Sequence, residues 1–227
     1  MTTSITPIAR TPLVNLHRRA GAKLAVANGW ELATAYPQDE QSAQNRIADI
    51  TGRVVTEFTG NKIAQTLASL CGRDMAIREI VETDGHTIYR LTDSRGLAFG
   101  KTVLSSGVDV TGGWTSLAVW GSDVLTLLNK VTAVDLRERT MPVGWCCQGP
   151  VFGVNTLFSR FANRIELHVC PDMLEFLWEV LLDAGAEFKL QPTGLDAYQK
   201  YLNSASTSSL SPSPSGCTLR ESFEKEG

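Results

Sequence analysis

The sequence predicts an α+β domain, with helices packed on mixed or antiparallel sheet. Three observations carry that prediction. Apolar runs are followed three times by a break containing Gly or Pro and then by a segment with apolar residues at spacings of three and four. Between these units lie extended segments punctuated by turn residues, so the order is neither uniform βαβα nor all strand. Hydrophobic residues make up 43% of 227 positions, enough for one good-sized core.

Taken in order, Thr11–Glu31 (TPLVNLHRRAGAKLAVANGWE) reads as an amphipathic opening helix closed by a Gly29-Trp30-Glu31 turn. The first unit joins Val54–Phe58, through Gly60-Asn61, to a helix with Ile63, Leu67, Leu70 and Cys71 on one stripe, stopped by Gly72. The second joins Leu117–Trp120, through Gly121-Ser122, to Val124, Leu127, Leu128 and Val131. The third joins Ile165–Val169, through Pro171-Asp172, to Leu174, Leu177, Trp178, Leu181 and Leu182, stopped by Gly185. Asn61, Ser122 and Asp172 are the residue types that accept hydrogen bonds from the free N–H groups of a first turn. Met173, Phe176, Leu177, Val180 and Leu181 leave the third helix little polar face, so most of its circumference should be buried. Thr87–Leu91 and Val143–Leu157 read as strands, the latter interrupted by Gly149-Pro150 and Gly153. Similarity among the three units is too slight for a repeat architecture.

The domain is expected over residues 9–202. From Asn203 the sequence NSASTSSLSPSPSG is serine- and proline-rich, and it cannot bury enough apolar area to offset its ordering entropy. A disordered tail is expected over 203–227.

Composition excludes several classes. A formal net charge of −3 with interspersed signs gives no field for nucleic acid or an acidic membrane surface. No apolar run approaches the ~20 residues needed to span a bilayer. MTTSITPIARTPLV lacks the pattern of a secretory signal, so a cytoplasmic location is expected. The five cysteines (Cys71, Cys146, Cys147, Cys170 and Cys217) are odd in number and irregularly spaced, as expected of reduced thiols packed as small hydrophobes. His168 and Cys170 share one strand face, but two ligands are too few for a metal site, and none is expected. Phosphate-cradling glycine loops and a G-x-S-x-G elbow are absent.

Two distant segments carry a family resemblance. Thr11-Pro12-Leu13, His17, Gly21-Ala22-Lys23 and Gly29-Trp30-Glu31 reproduce the pattern T-P-L-x-x-x-H-x-x-x-G-A-K followed by G-W-E, and Ile165–Gly185 supplies a strand, a proline break and an apolar helix. In this order they resemble the folate-binding domain of the aminomethyltransferase (glycine-cleavage T-protein) family. Val108–Trp114 leading into Leu117–Gly121, Asp135-Leu136 with Pro142–Gly144, and Glu166–Val169 with Leu177-Trp178 look closer still to the gamma subunit of heterotetrameric sarcosine oxidases. The resemblance covers roughly Thr11 to Tyr198.

That resemblance implies a site. The family's G-Y-x-G-E-x-G-x-E strand ends in a glutamate whose carboxylate accepts from adjacent donors of a pterin edge. Of Ser159–Glu166 only Glu166 matches, and it becomes the candidate folate acceptor, with Trp30 and Tyr89 as aromatic walls. Asp93 and Asp109 are the candidates for the aspartate that assists amine attack, although Val81–Val110 is too short for the family's G-G-x-x-D-D segment and the strand after it. The family's arginine-bearing A-R-D-x-L-R-L-E segment is replaced by Gly194–Lys200 (GLDAYQK). These departures imply a small accessory subunit of a folate-linked, flavin-dependent sarcosine or N-methyl amine oxidase or demethylase. Its partners would be larger flavin- and folate-binding subunits. Tetrahydrofolate would be held weakly by the isolated chain, and flavin by the partners alone. The alternative is a stand-alone tetrahydrofolate-dependent aminomethyl or one-carbon transferase. A folate-sensing relative of iron–sulfur assembly factors is a third option, but its K-G-C-Y-x-G-Q-E motif is absent around Val143–Gly149.

Overall fold

The computed structural model describes residues 8–83 and 85–208. In chain order these form β1 (Ala9–Arg10), α1 (Val14–Arg19), β2 (Lys23–Ala27), β3 (Trp30–Ala35), β4 (Asn45–Asp49), β5 (Val54–Thr59) and α2 (Ile63–Cys71). There follow β6 (Ile80–Thr83), β7 (His86–Arg90), β8 (Arg95–Gly100), β9 (Val108–Asp109), β10 (Thr115–Gly121) and α3 (Val124–Val131). The rest comprises β11 (Trp145–Val151), β12 (Val154–Arg160), β13 (Ile165–Val169), α4 (Leu174–Gly185), β14 (Leu190–Pro192) and α5 (Leu195–Ser208).

Three sheets result. β1-β3-β2 is a small mixed sheet, and β6-β7-β8-β5-β9 is antiparallel throughout. The six-stranded sheet runs β11-β12-β13-β10-β4-β14, antiparallel except for β14, which lies parallel to β4. This is the α+β class read from the sequence, with helices on mixed and antiparallel sheet. The main core joins Leu127, Leu128, Leu177, Trp178 and Leu181 of α3 and α4 to Ile47, Leu117 and Leu167 of the six-stranded sheet. A second core joins Tyr89, Leu97 and Phe99 of the five-stranded sheet to Cys146 and Leu157.

All three strand–break–helix units form where expected, but several details differ. The opening helix is only six residues long, and the chain from Lys23 to Ala35 is a hairpin. Asn28 and Gly29 turn it with φ of 53° and 80°. Two successive residues in the left-handed region suit the right-handed twist of paired strands, and Asn-Gly is the dipeptide that adopts them at least cost. That local signal outweighs the helix propensity of KLAVA. Gly149-Pro150 does not break its strand but lies inside β11, an edge strand of the six-stranded sheet, where a missing N–H is tolerated.

None of Asn61, Ser122 and Asp172 caps its helix through the side chain. For α3 the cap comes from across the fold, as Asp123 N donates to Asn45 Oδ1 at 2.9 Å. Helix α4 is buried on one stripe only, through Leu174, Leu177, Trp178 and Leu181, while Phe176 is 46% exposed, as is Met173 just before the helix at 40%. Helix α5 runs through the expected boundary at 202 and continues to Ser208, so 203–208 is helical. The remainder of the expected tail, 209–227, lies outside the described residues, as does Cys217. Cys146 is buried and Cys147 half-buried, while Cys170 is exposed.

The segment carrying the T-P-L…H pattern is a tie between α1 and the sheet. Thr11 Oγ1 and His17 Nε2 both bond Asp49 Oδ2, at 2.5 and 3.1 Å, and His17 Nδ1 lies 2.5 Å from Tyr36 Oη. All four residues are buried. Charge-assisted bonds in so dry a setting fix α1 on β4 and position the Ile50–Arg53 segment that leaves it.

Candidate functional site

β13 is buried on both faces. Ile165, Leu167 and Val169 enter the core beneath α3 and α4. Glu166 and His168, on the alternate face, meet Tyr89 and Phe99 of the five-stranded sheet, which covers that side of the strand. Two ionised partners reach Glu166 from different directions. Arg164, just before the start of β13, donates Nε to Oε1 at 2.8 Å. Arg53, in the connection from β4 to β5, donates Nη2 to Oε2 at 2.7 Å. Tyr198 of α5 places its hydroxyl 3.4 Å from Oε1.

Glu166 is 1% exposed. Burial alone would raise its pKa, but Arg53 and then Arg164 override that penalty and hold the carboxyl down at about 2. His168 is fully buried between Ser116 Oγ (2.8 Å from Nδ1) and Ser159 Oγ (3.0 Å from Nε2), with Tyr89 Oη 3.3 Å from Nε2. Burial, reinforced by Arg53, drives it down to about 3, so the imidazole is neutral at pH 7. The Arg53 guanidinium also lies 5.1 Å from the Phe99 ring centroid. Desolvation pushes the Tyr89 and Tyr198 hydroxyls upward, and both stay protonated.

A cleft of about 400 Å³ opens beside this cluster, and Arg53, Arg164, Glu166 and Tyr198 line it with Leu32, Ile50 and α5. Of the candidates from sequence, Glu166 lines the cleft, Tyr89 lies behind it in the same buried cluster, and Trp30, Asp93 and Asp109 are not among the lining residues. Tyr89 is fully buried against His168 and Phe99. Trp30 rests its ring on Gly52, whose φ is +97° and where an added Cβ would lie 3.0 Å from the indole. Asp93 sits in the β7–β8 turn with 87% of its side chain exposed, 3.7 Å from Arg90. Asp109 is exposed at the end of β9 and accepts from Thr111 N and Oγ1.

Arg53, Arg164 and Tyr198 were not singled out from the sequence. The alternation Arg164, Glu166, His168 was a signal for one shared strand face. Arg53 lies 113 positions away, and nothing local announces it. Among the described residues, no group of three His, Cys, Asp or Glu could hold a metal ion.

The fold is of the aminomethyltransferase-like folate-binding class, as comparison with known proteins shows. The chain belongs to the GCVT N-terminal domain family, whose family model matches residues 84–202. It is 24% identical to an aminomethyltransferase of Desulfitobacterium hafniense (strain Y51) over 231 residues, which cover 85% of this chain and 63% of that protein. It is 26% identical to one from Streptomyces avermitilis, with 96% and 70% covered. The chain thus spans just under two thirds of the length of the first of these relatives. Among solved structures, the glycine cleavage system aminomethyltransferase T of Bartonella henselae aligns with a TM-score of 0.65 at 15% identity, covering 84% of this chain and 60% of that one. A chain of the heterotetrameric sarcosine oxidase from Corynebacterium sp. U-96 aligns with a TM-score of 0.62 at 14% identity, covering 79% of this chain and 96% of that one.

Proposed function

We propose that this chain is a small accessory subunit of a cytoplasmic, heteromeric, flavin-dependent oxidase or demethylase of sarcosine or a related N-methyl amine. In that assembly the larger subunits hold flavin and tetrahydrofolate, and this chain contributes framework. The observation that carries the reading is the state of Glu166. The carboxylate that would accept a pterin edge is already bound by two guanidiniums and is shut from water. Asp93 and Asp109, the candidates for assisting amine attack, are spread over the surface. The near-complete coverage of a heterotetramer's chain favours a subunit of the same compass. Exposed Met173, just before α4, and Phe176 in its first turn give a partner apolar surface to cover. No helix among the described residues is long and apolar enough to cross a membrane.

Anaerobic calorimetric titration of the full chain with tetrahydrofolate tests this reading. A dissociation constant weaker than ~100 μM, about 5.5 kcal/mol, is expected. A low-micromolar constant that disappears in Glu166→Gln would establish the transferase alternative instead. Tagged chain expressed in its native background should elute in a heteromer with flavin absorbance. A monodisperse, colourless monomer would count against the subunit reading.

A further inference from the structure

The cluster that closes on Glu166 leaves donors unused. A guanidinium has five N–H donors, and two such groups share one carboxylate here. Arg164 spends its capacity on Glu166, Asn163 and Glu82. Among the described residues the Arg53 side chain makes a single hydrogen bond, from Nη2 to Glu166. Its Nε is buried without any acceptor, and its Nη1 has none among the described residues. A buried unpaired donor on a charged group is costly, and such orphans mark sites completed by a water, an ion or a ligand.

The surroundings specify what would complete this one. Arg53 and Arg164 carry two positive charges against Glu166, and His168 between them is neutral at pH 7. The desolvated cluster therefore holds an excess of one positive charge, offset in part by Glu82, which is 3.4 Å from Arg164 but 61% exposed. Arg53 keeps 24% of its side chain accessible and lines the cleft of about 400 Å³. That volume lies within the range of about 300–1,000 Å³ typical of small-molecule sites. Leu32, Ile50, Leu195 and Leu202 supply apolar walls, while Asp196 stands exposed among the lining residues.

We infer that Arg53 is the receptor for a small organic monocarboxylate, whose apolar body lies against the leucine and isoleucine walls of this cleft. A carboxylate arriving from the cleft would accept from Nη1 at the outer end of the guanidinium and neutralise the single excess charge. A dianion such as phosphate would face Glu166 and Asp196 with a charge that the cluster cannot balance. This inference goes beyond the accessory-subunit reading and rests on the chain's own residues, whether or not a larger partner is bound.

Benzoate, its neutral isostere benzamide and inorganic phosphate serve as probes of the full chain. Benzoate should bind saturably with a dissociation constant at or below about 1 mM. Benzamide and phosphate should bind at least about tenfold more weakly. Arg53→Lys keeps the charge beside Glu166 but loses the fork, and it should weaken benzoate at least about tenfold. Should that variant fail to fold, the Nε–Hε resonance of Arg53 in the wild-type chain gives the same answer. It should move saturably with benzoate and stay in place with benzamide. Benzoate binding that is absent, equalled by benzamide or unchanged in Arg53→Lys overturns the proposal. Phosphate binding tighter than benzoate overturns the assignment to a carboxylate.

Discussion

Replacing Glu166 by glutamine removes the buried negative charge that both guanidiniums share, while keeping side-chain volume. Its cost can be worked out in two ways. Removing one partner of a buried ion pair typically costs about 3–5 kcal/mol, because the other charge is left uncompensated. Independently, the carboxyl is held at about 2 against an ordinary 4.5, and that gap corresponds to about 3 kcal/mol. The sign follows from the depressed folded value. The stabilisation is fully present above pH 4.5 and is lost as pH falls towards 2. Glu166→Gln should therefore lose about 3–5 kcal/mol at pH 7 in urea unfolding followed by tryptophan fluorescence. Its deficit relative to wild type should narrow as pH drops below 4.5. A stability of about 5–15 kcal/mol leaves the variant measurable. A double-mutant cycle with Arg53→Gln should return a coupling of about 1–3 kcal/mol. A loss under about 1 kcal/mol at pH 7 would mean that Glu166 is not committed to the arginines, and the argument against pterin capture would fall with it.

Two further outcomes follow from the same geometry. Trp178, on the buried stripe of α4, is 3% exposed and meets the His17 ring edge-on at 5.4 Å, so Trp178→Ala should cost about 3–5 kcal/mol, and a loss under about 1 kcal/mol would contradict this packing. Burial and Arg53 hold His168 at about 3, below its ordinary 6.5, so the unfolded chain takes up that proton first and stability falls as pH drops from 6.5 towards 3. About 2 kcal/mol should be lost between pH 6.5 and 5, and a His168 resonance that titrates near 6.5 would refute the assignment.

The sequence revealed α2, α3 and α4 because each combines an apolar stripe with a Gly or Pro break, and both signals are local. The β2–β3 hairpin was obscured by Lys, Leu and Ala, which favour helix, although Asn28-Gly29 marked the turn. At the site, alternation along β13 correctly put Glu166 opposite Ile165 and Leu167. Alternation on one strand does not say what covers each face, however. Here a second sheet brings Tyr89 and Phe99 over the polar face, and Arg53 arrives from the crossing between sheets. Those are long-range facts of topology, and Glu166 read from its own strand could be either a pterin acceptor or a solvent-side residue.

The residues that carry the family resemblance explain how fold and chemistry can part company. Thr11 and His17 converge on Asp49 and hold α1 to the sheet, a task that requires no ligand. The acceptor carboxylate serves two masters only at a loss. To present it to a pterin, Arg53 or Arg164 would have to withdraw, at about the 3–5 kcal/mol of a broken buried pair. Two hydrogen bonds from a pterin edge to the freed carboxylate return about 1.5–3 kcal/mol each, which roughly offsets that withdrawal. Nothing then remains to meet the association cost of about 4–15 kcal/mol. The same arithmetic leaves the outer end of Arg53 untouched, because a carboxylate arriving there displaces no protein hydrogen bond. On this accounting the cleft that adjoins Glu166 is expected to discriminate against a pterin and in favour of a small monocarboxylate, which is what the paired titrations with tetrahydrofolate and benzoate measure.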